Sequence, residues 1–395
     1  MELLIKNARI VDHSNDFTGC IYIREGKIES ISSDINVEGC EVLDAKGLII
    51  MPSFVDLHAH FREPGLTYKE DIETGSRAAV RGGYTAVHLM ANTRPACSDM
   101  DTVRYVSEKA KEIGLVDAYQ CVSITKDMKG VDTSHIEEIT EPVKCISDDG
   151  YGVMDGSIMI DAMVKAKRKG IIVMSHAEDH GFSKANSRLS ENVMTWRDIE
   201  IARLTGAHLH LCHVSTKEAM DYIIHAKNIG VDVTCEVTPH HIFATNDIDY
   251  KVHPPLREEA DVEFLIECIK NGYVDAIATD HAPHTAEDKE NGSPGISGIE
   301  TSFSICYTSL VKSGKIDLSK LSQIMSKNPA DILGIKKGRI SVGYDADFVL
   351  VDTDASYSID PADFESKGKN TPFAGRIVSG EIIRTIKGGK TVYKK

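Results

Sequence analysis

The sequence has no C-x-x-C pair, no excess of positive charge, and none of the apolar runs of about 18 residues that a membrane span requires. Its nine cysteines are odd in number and scattered, at positions such as Cys20, Cys97, Cys212 and Cys306. That pattern excludes a disulfide framework and a zinc finger, and it fits a reducing cytosol. The opening MELLIKNARI carries Glu2, Lys6 and Arg9 too close together to leave a signal-peptide core. The expected location is therefore cytoplasmic. Lys and Arg number 45 against 60 Asp and Glu, for a net charge of −15. Such a chain is poorly suited to tracking nucleic-acid phosphates or an anionic membrane. An anionic substrate would have to be held by a few local cations.

The chain is 395 residues long, 42% hydrophobic and 27% charged, the balance of a globular enzyme with a sizeable core. Short β segments separated by glycines occupy the first fifty or so residues: Leu3–Ile5, closed by Lys6 and Asn7, then Cys20–Arg24, Lys27–Ser32 and Gly47–Met51. The same texture returns at Asp347–Asp352, Arg376–Ser379, Ile382–Ile386 and Thr391–Tyr393. Between these ends, strand-like segments start near Ser53, Tyr84, Asp117, Val143, Ile171, His208, Asp232 and Asp275. They alternate with amphipathic stretches such as Lys69–Arg81, Thr102–Ile113, Ser157–Lys169 and Thr216–Asn228. Eight such units predict an α/β fold, a (β/α)8 TIM barrel over residues 52–340. The two ends, 1–51 and 341–395, are expected to meet in one small β-sandwich domain.

In a barrel of this kind, working residues sit at the C-terminal ends of strands. Polar groups mark nearly every candidate strand end here: His58 and His60, Asn92, Asp148 and Asp149, His176, His213, His240 and His241, and Asp280. His58 and His60 share one side of the first strand, so both imidazoles can grip one metal ion. In H-L-H-L-C-H (208–213), parity puts His213 above Leu209 and Leu211 on an inward face. His208 and His210 are then expected to face the helices, with Cys212 on the side opposite His213. His176 stands above Ile172 and Met174, and Asp280 above Ala276 and Ala278. Four histidines with one or two carboxylates and no thiolate suit zinc, with manganese or cobalt also compatible. A carboxylate can bridge two ions, and either Asp148 or Asp149 can supply it. A carbamate on Lys144 is an alternative bridge, deeper in the strand. Such a centre hydrolyses, or in reverse forms, an amide, imide or ester. Arg62, two residues after His60, faces the site mouth and can bind a carboxylate. Asn92 can donate to the same group.

These residues resemble the dihydroorotases of the amidohydrolase superfamily. The matching signatures are D-L-H-A-H-F-R-E-P (56–64) and A-T-D-H-A-P-H (278–284) followed by Lys289. S-D-D-G (147–150), N-T-R-P (92–95), C-H-V-S-T-K-E (212–218) and K-G-K-N-T-P-F (367–373) also fit, so the resemblance spans the chain. It is greatest to the class bridged by aspartate rather than by a carboxylated lysine. The resemblance implies reversible cyclisation of N-carbamoyl-L-aspartate to dihydroorotate with two Zn2+ per subunit. His58, His60 and Asp280 would hold one zinc, His176 and His213 the other, with Asp149 as the bridge. Asp280 would also shuttle the proton. Arg62, Asn92 and His284 would hold the substrate carboxylate, and Pro294 and Gly295 would close over the ring. A homodimer, and a complex with aspartate carbamoyltransferase, belong to the same implication.

Two positions depart from the family pattern. Ala91 stands where Pro is usual, and His253 stands in K-V-H-P-P-L-R (251–257) where Asn is usual; if that Asn contacts substrate, His253 takes its place as a pH-dependent donor. The stretch from His180 to Arg203 is also shorter than usual. Two other readings compete: a hydantoinase or allantoinase type, which usually uses the carbamylated lysine, and a non-catalytic partner of a carbamoyltransferase, which tends to have lost its ligands.

Overall fold

The computed structural model describes residues 2–395; Met1 lies outside them. The chain opens with β1 (Glu2–Val11), β2 (Asp16–Arg24), β3 (Lys27–Ser32), β4 (Glu41–Asp44) and β5 (Ile49–Pro52). The central strands are β6 (Phe54–Ala59), β7 (Tyr84–Leu89), β8 (Asp117–Gln120), β9 (Cys145–Ile146), β10 (Ile172–Ser175), β11 (Leu209–Leu211), β12 (Val233–Val237) and β13 (Ala276–Ile277). It closes with β14 (Phe348–Ser358), β15 (Ile377–Lys387) and β16 (Lys390–Lys394).

The central strands are parallel and bonded in two runs, β6-β7-β8 and β9 to β13 in order. Bridges Val122↔Ile146 and Ala59↔His281 join the runs at both seams, so the barrel closes. Helices alternate with the strands, and several start at a side-chain cap. Asp71 accepts from Thr74 N at the start of Ile72–Arg81 in a capping box, and Asp155 caps Gly156–Lys169, which stops at the left-handed Gly170. Inside the barrel, Val55, Leu57, Ile172, Met174, Ala276 and Ala278 belong to one apolar cluster, reached from below by Ala330 and Leu333.

Strands from both chain ends form one eight-stranded sheet, ordered β16-β15-β14-β5-β1-β2-β3 with β4 also on β1. Lys6 and Asn7 do not end β1. The pairing with β2 shifts between Ile5 and Ala8, where Asn7 takes a φ of 57°, and the strand continues to Val11. A bulge absorbs the polar pair without breaking the ladder. Likewise, the segments expected at Arg376–Ser379 and Ile382–Ile386 fall, from Ile377 onward, in one strand, β15, which runs through Gly380. The sheet stands beside the barrel, and β14 pairs antiparallel with β5, the strand that leads into β6.

Candidate metal centre

Each candidate ligand is brought to the C-terminal mouth of the barrel by a strand end, and three of those ends are irregular. On β6, Val55 and Leu57 pack inside the barrel while Ala59 and Phe61 pack outside. The pairing with β7 shifts between Asp56 and Ala59, so His58 turns inward beside His60, their ring centroids 5.2 Å apart. Asp56 secures the irregularity by accepting from His58 N at 3.2 Å and Thr279 N at 2.9 Å. His213 and Asp280 adopt left-handed φ values of 35° and 46°. These are uncommon for such residues, and they turn each side chain into the mouth.

That turn corrects the parity reading of β11. Leu209 and Leu211 pack outward against the helices, and Cys212 lies in the inner cluster. His210 also faces inward, its Nε2 3.1 Å from Glu236 Oε2. His213 reaches the site because its backbone leaves the strand alternation, not because it shares the leucine face. His208 stays near the foot of the strand, bonded to Thr234 Oγ1 at 2.9 Å. Cys212, expected on the far side, can approach His58 and Glu236 with a ligand atom. Burial and then Glu236 push its thiol up to about 12, so it stays protonated and is a poor metal donor.

Asp149 is the hub. Its Oδ1 lies 3.3 Å from His58 Nε2, 3.4 Å from His176 Nδ1 and 3.6 Å from His213 Nε2. Its Oδ2 lies 3.6 Å from His60 Nε2. Asp280 Oδ1 lies 3.1 Å from His60 Nε2 and 3.7 Å from His58 Nε2. Asp148, the other sequence candidate, is committed elsewhere: it accepts from Ile124 N at 2.7 Å and Thr125 N at 3.1 Å. Lys144 pairs with Glu141 at 3.1 Å.

Two overlapping groups, His58–His60–Asp149 and Asp149–His176–His213, each bring their ligand atoms within 4.8 Å of one another. His58 Nε2 and Asp149 Oδ1 are buried without a hydrogen-bond partner. His176 Nδ1 and His213 Nε2 face each other at 2.9 Å. Lone pairs that converge like this, in nitrogen and oxygen donors sharing one carboxylate, fit a pair of divalent ions such as zinc. Burial alone would raise the pKa of Asp149 and of Asp280. The imidazoles around them outweigh it and hold both below the usual carboxylate range.

The outward nitrogens are fixed by groups that the sequence reading did not single out. Glu236 Oε1 takes His58 Nδ1 at 2.8 Å, and Glu178 Oε2 takes His176 Nε2 at 3.0 Å. Such partners set the ring tautomer and raise ligand basicity. Glu178 was findable, two residues after His176; Glu236 sits inside a strand and carries no local signal. Asn92 does the same for His60, with Oδ1 2.9 Å from Nδ1, while its amide donates to Asp149 Oδ2 at 3.2 Å. As placed, Asn92 holds both His60 and Asp149. His240 and His241 do not line the pocket; His241 bonds Thr238 Oγ1 at 2.8 Å and Pro254 O at 3.0 Å.

Above the donors opens a pocket of about 190 Å³, whose walls include Arg62, Glu178, His253, His284, Pro294 and Gly295. Arg62 Nε donates to Pro283 O at 3.3 Å. His253 is 42% exposed at the rim, 3.8 Å from Glu178 Oε2. Gly295 has a φ of 133°, and a Cβ there would lie 2.6 Å from Ala282 Cβ, so only glycine brings this wall so close. A second cavity, of about 210 Å³ around Arg81 and Glu300, contains none of the donor groups.

The amidohydrolase family model matches residues 49–392. A dihydroorotase from Clostridium botulinum is 54% identical over 398 residues, covering all of both chains. One from a Thermoanaerobacter species is 41% identical over 429 residues, covering 100% of this chain and 98% of its own. Among solved structures, the dihydropyrimidinase of Brevibacillus agri superposes with a TM-score of 0.91 at 25% identity, covering 100% and 95% of the two chains. The L-hydantoinase of Arthrobacter aurescens gives 0.91 at 26% identity, covering 100% and 96%. The chain belongs to the amidohydrolase family and, within it, to the dihydroorotases.

Proposed function

We propose that the protein catalyses the reversible cyclisation of N-carbamoyl-L-aspartate to (S)-dihydroorotate and water in pyrimidine synthesis. The observation that carries the reading is one buried carboxylate, Asp149, meeting four imidazoles beside a second carboxylate, Asp280. His58, His60 and Asp280 would hold one zinc ion and His176 and His213 the other, with Asp149 shared. Bound there, the ions would activate a water and polarise the carbonyl that it attacks. Asp280, at the pocket wall, would take the water's proton and return it to the amide nitrogen. Arg62 offers the cation that an acidic substrate needs in a chain of net charge −15. His284 and the Pro294–Gly295 wall complete the pocket around the ring, and His253 takes the rim position.

The cyclic-amide reading suggested by the hydantoinase-like neighbours is weaker on two observations. Lys144 is paired with Glu141 rather than aimed at the metal donors, and a guanidinium faces the pocket. Residues 52–340 would carry this chemistry, and the sheet of residues 1–51 and 341–395 would support it. The reading extends to a cytoplasmic homodimer that can join aspartate carbamoyltransferase. Among the described residues no helix is long and apolar enough to cross a membrane. The test is ultraviolet turnover of dihydroorotate by the zinc-loaded protein, alongside allantoin and a simple hydantoin. Loss of dihydroorotate alone is expected. Preferential turnover of hydantoin would overturn the assignment, and silence on all three with metal bound would favour a non-catalytic partner.

A further inference from the structure

The His284 imidazole stands between two cations. Arg62 Nη2 lies 3.2 Å from its Nε2, and Lys69 Nζ lies 3.3 Å from its Nδ1. Ammonium and guanidinium groups donate only, and a neutral imidazole has one accepting nitrogen. The ring is neutral near pH 7, because burial, then Arg62 and Lys69, push its pKa down to about 3. It can therefore satisfy one of the two cations and must turn an N–H toward the other.

The surroundings decide which. Lys69 is 12% exposed, sits behind the ring and does not line the pocket. Its ammonium has Asp288 Oδ1 at 3.0 Å and the ring nitrogen. Asp288 is itself held in place by a capping box with Thr285. Asp288 Oδ2 is 3.9 Å from Nδ1, too far to accept a ring proton there, and it already takes Thr285 N and Oγ1. Arg62, by contrast, lines the pocket and gives its Nε–H to Pro283 O. If Lys69 takes the accepting nitrogen, His284 Nε2–H and Arg62 Nη2–H stand 3.2 Å apart at the pocket wall with no acceptor between them. Two such donors suit one carboxylate.

We propose that Lys69 is a positioning residue for the reaction: by donating to His284 Nδ1 it fixes the tautomer whose Nε2–H joins Arg62 in holding the substrate's carboxylate. The identity of that carboxylate rests on the carbamoyl aspartate reading; the tautomer does not.

Long-range 1H–15N spectra of the histidine-labelled, zinc-loaded enzyme read the tautomer directly, with His284 assigned by the signals that vanish in His284→Asn. The wild-type ring is expected as Nε2–H. Lys69→Met should move it to Nδ1–H or a mixture and leave the zinc content unchanged. It should also raise KM for carbamoyl aspartate roughly tenfold, with kcat within about threefold of wild type. Should Lys69→Met fold poorly, Asp288→Asn, which loosens the ammonium, is expected to act in the same direction with a smaller effect. A wild-type ring found as Nδ1–H overturns the proposal, as does a Lys69→Met enzyme with tautomer and KM unchanged. An Nε2–H ring in an enzyme that does not turn over dihydroorotate would reject the function and leave the tautomer standing.

Discussion

Replacing Glu236 by Gln tests whether the metal donors depend on a carboxylate that never meets the substrate. Glu236 is fully buried and holds two imidazoles, His58 at 2.8 Å and His210 at 3.1 Å. Burial alone would keep it protonated, but the two histidines outweigh that and bring its pKa down to about 2. It is therefore a full negative charge behind His58 at any working pH. Gln keeps the shape, removes the charge, and turns an amide N–H toward one of the two rings. Loss of such a partner typically costs 10–100-fold in metal affinity, or roughly 1.4–2.8 kcal/mol. Chelator competition for zinc should thus show Glu236→Gln releasing metal at about a tenth to a hundredth of the chelator strength that wild type withstands. Circular dichroism should show a folded barrel. Wild-type zinc affinity in a folded variant would refute the idea that Glu236 orients His58.

Asp280→Asn should reduce turnover at least about a hundredfold while zinc content by elemental analysis stays near wild type; near-normal activity would remove the proton-transfer role. Arg62→Met should raise KM for carbamoyl aspartate roughly tenfold to a hundredfold with a smaller change in kcat; an unchanged KM would reject its contact with substrate. Lys289 supplies a pH test. Its ammonium donates to the carbonyls of Lys251 at 3.1 Å, Ser293 at 2.8 Å and Gly295 at 3.1 Å, and burial and Lys251 bring its pKa down to about 8. Three acceptors need the protonated amine; above that pKa one donor is lost and the Pro294–Gly295 wall loosens. KM is expected to rise as pH passes upward through about 8 in wild type, and Lys289→Met should start from a raised KM and lack that step.

The positions of the candidate ligands were legible in the sequence because a barrel puts such groups at strand ends, and strand ends can be read from where apolar runs stop. His58, His60, His176, His213 and Asp280 all stand at or just beyond the ends of their strands. Orientation was less legible. Strict alternation fails wherever one residue takes a left-handed turn, and His213 does so. That is why parity assigned His210 and Cys212 to the wrong side of β11. The choice between Asp148 and Asp149 is a tertiary matter: the amides of Ile124 and Thr125, from the loop after the neighbouring strand β8, occupy Asp148. Glu236 and Lys69 act through histidines far away in sequence, and nothing in their own neighbourhoods announces it. At the chain ends, the polar pair Lys6–Asn7 looked like a turn but was absorbed as a bulge, because flanking Ile5 and Ala8 are both buried.

Anomalous diffraction from crystals of the zinc-loaded protein tests the proposed two-metal centre around Asp149 most directly. Two zinc peaks roughly 3.5–4 Å apart are expected to flank Asp149, one toward His58 and His60 and the other toward His176 and His213. A single peak, or a peak seated between Cys212 and Glu236 with Asp149 left free, would contradict it.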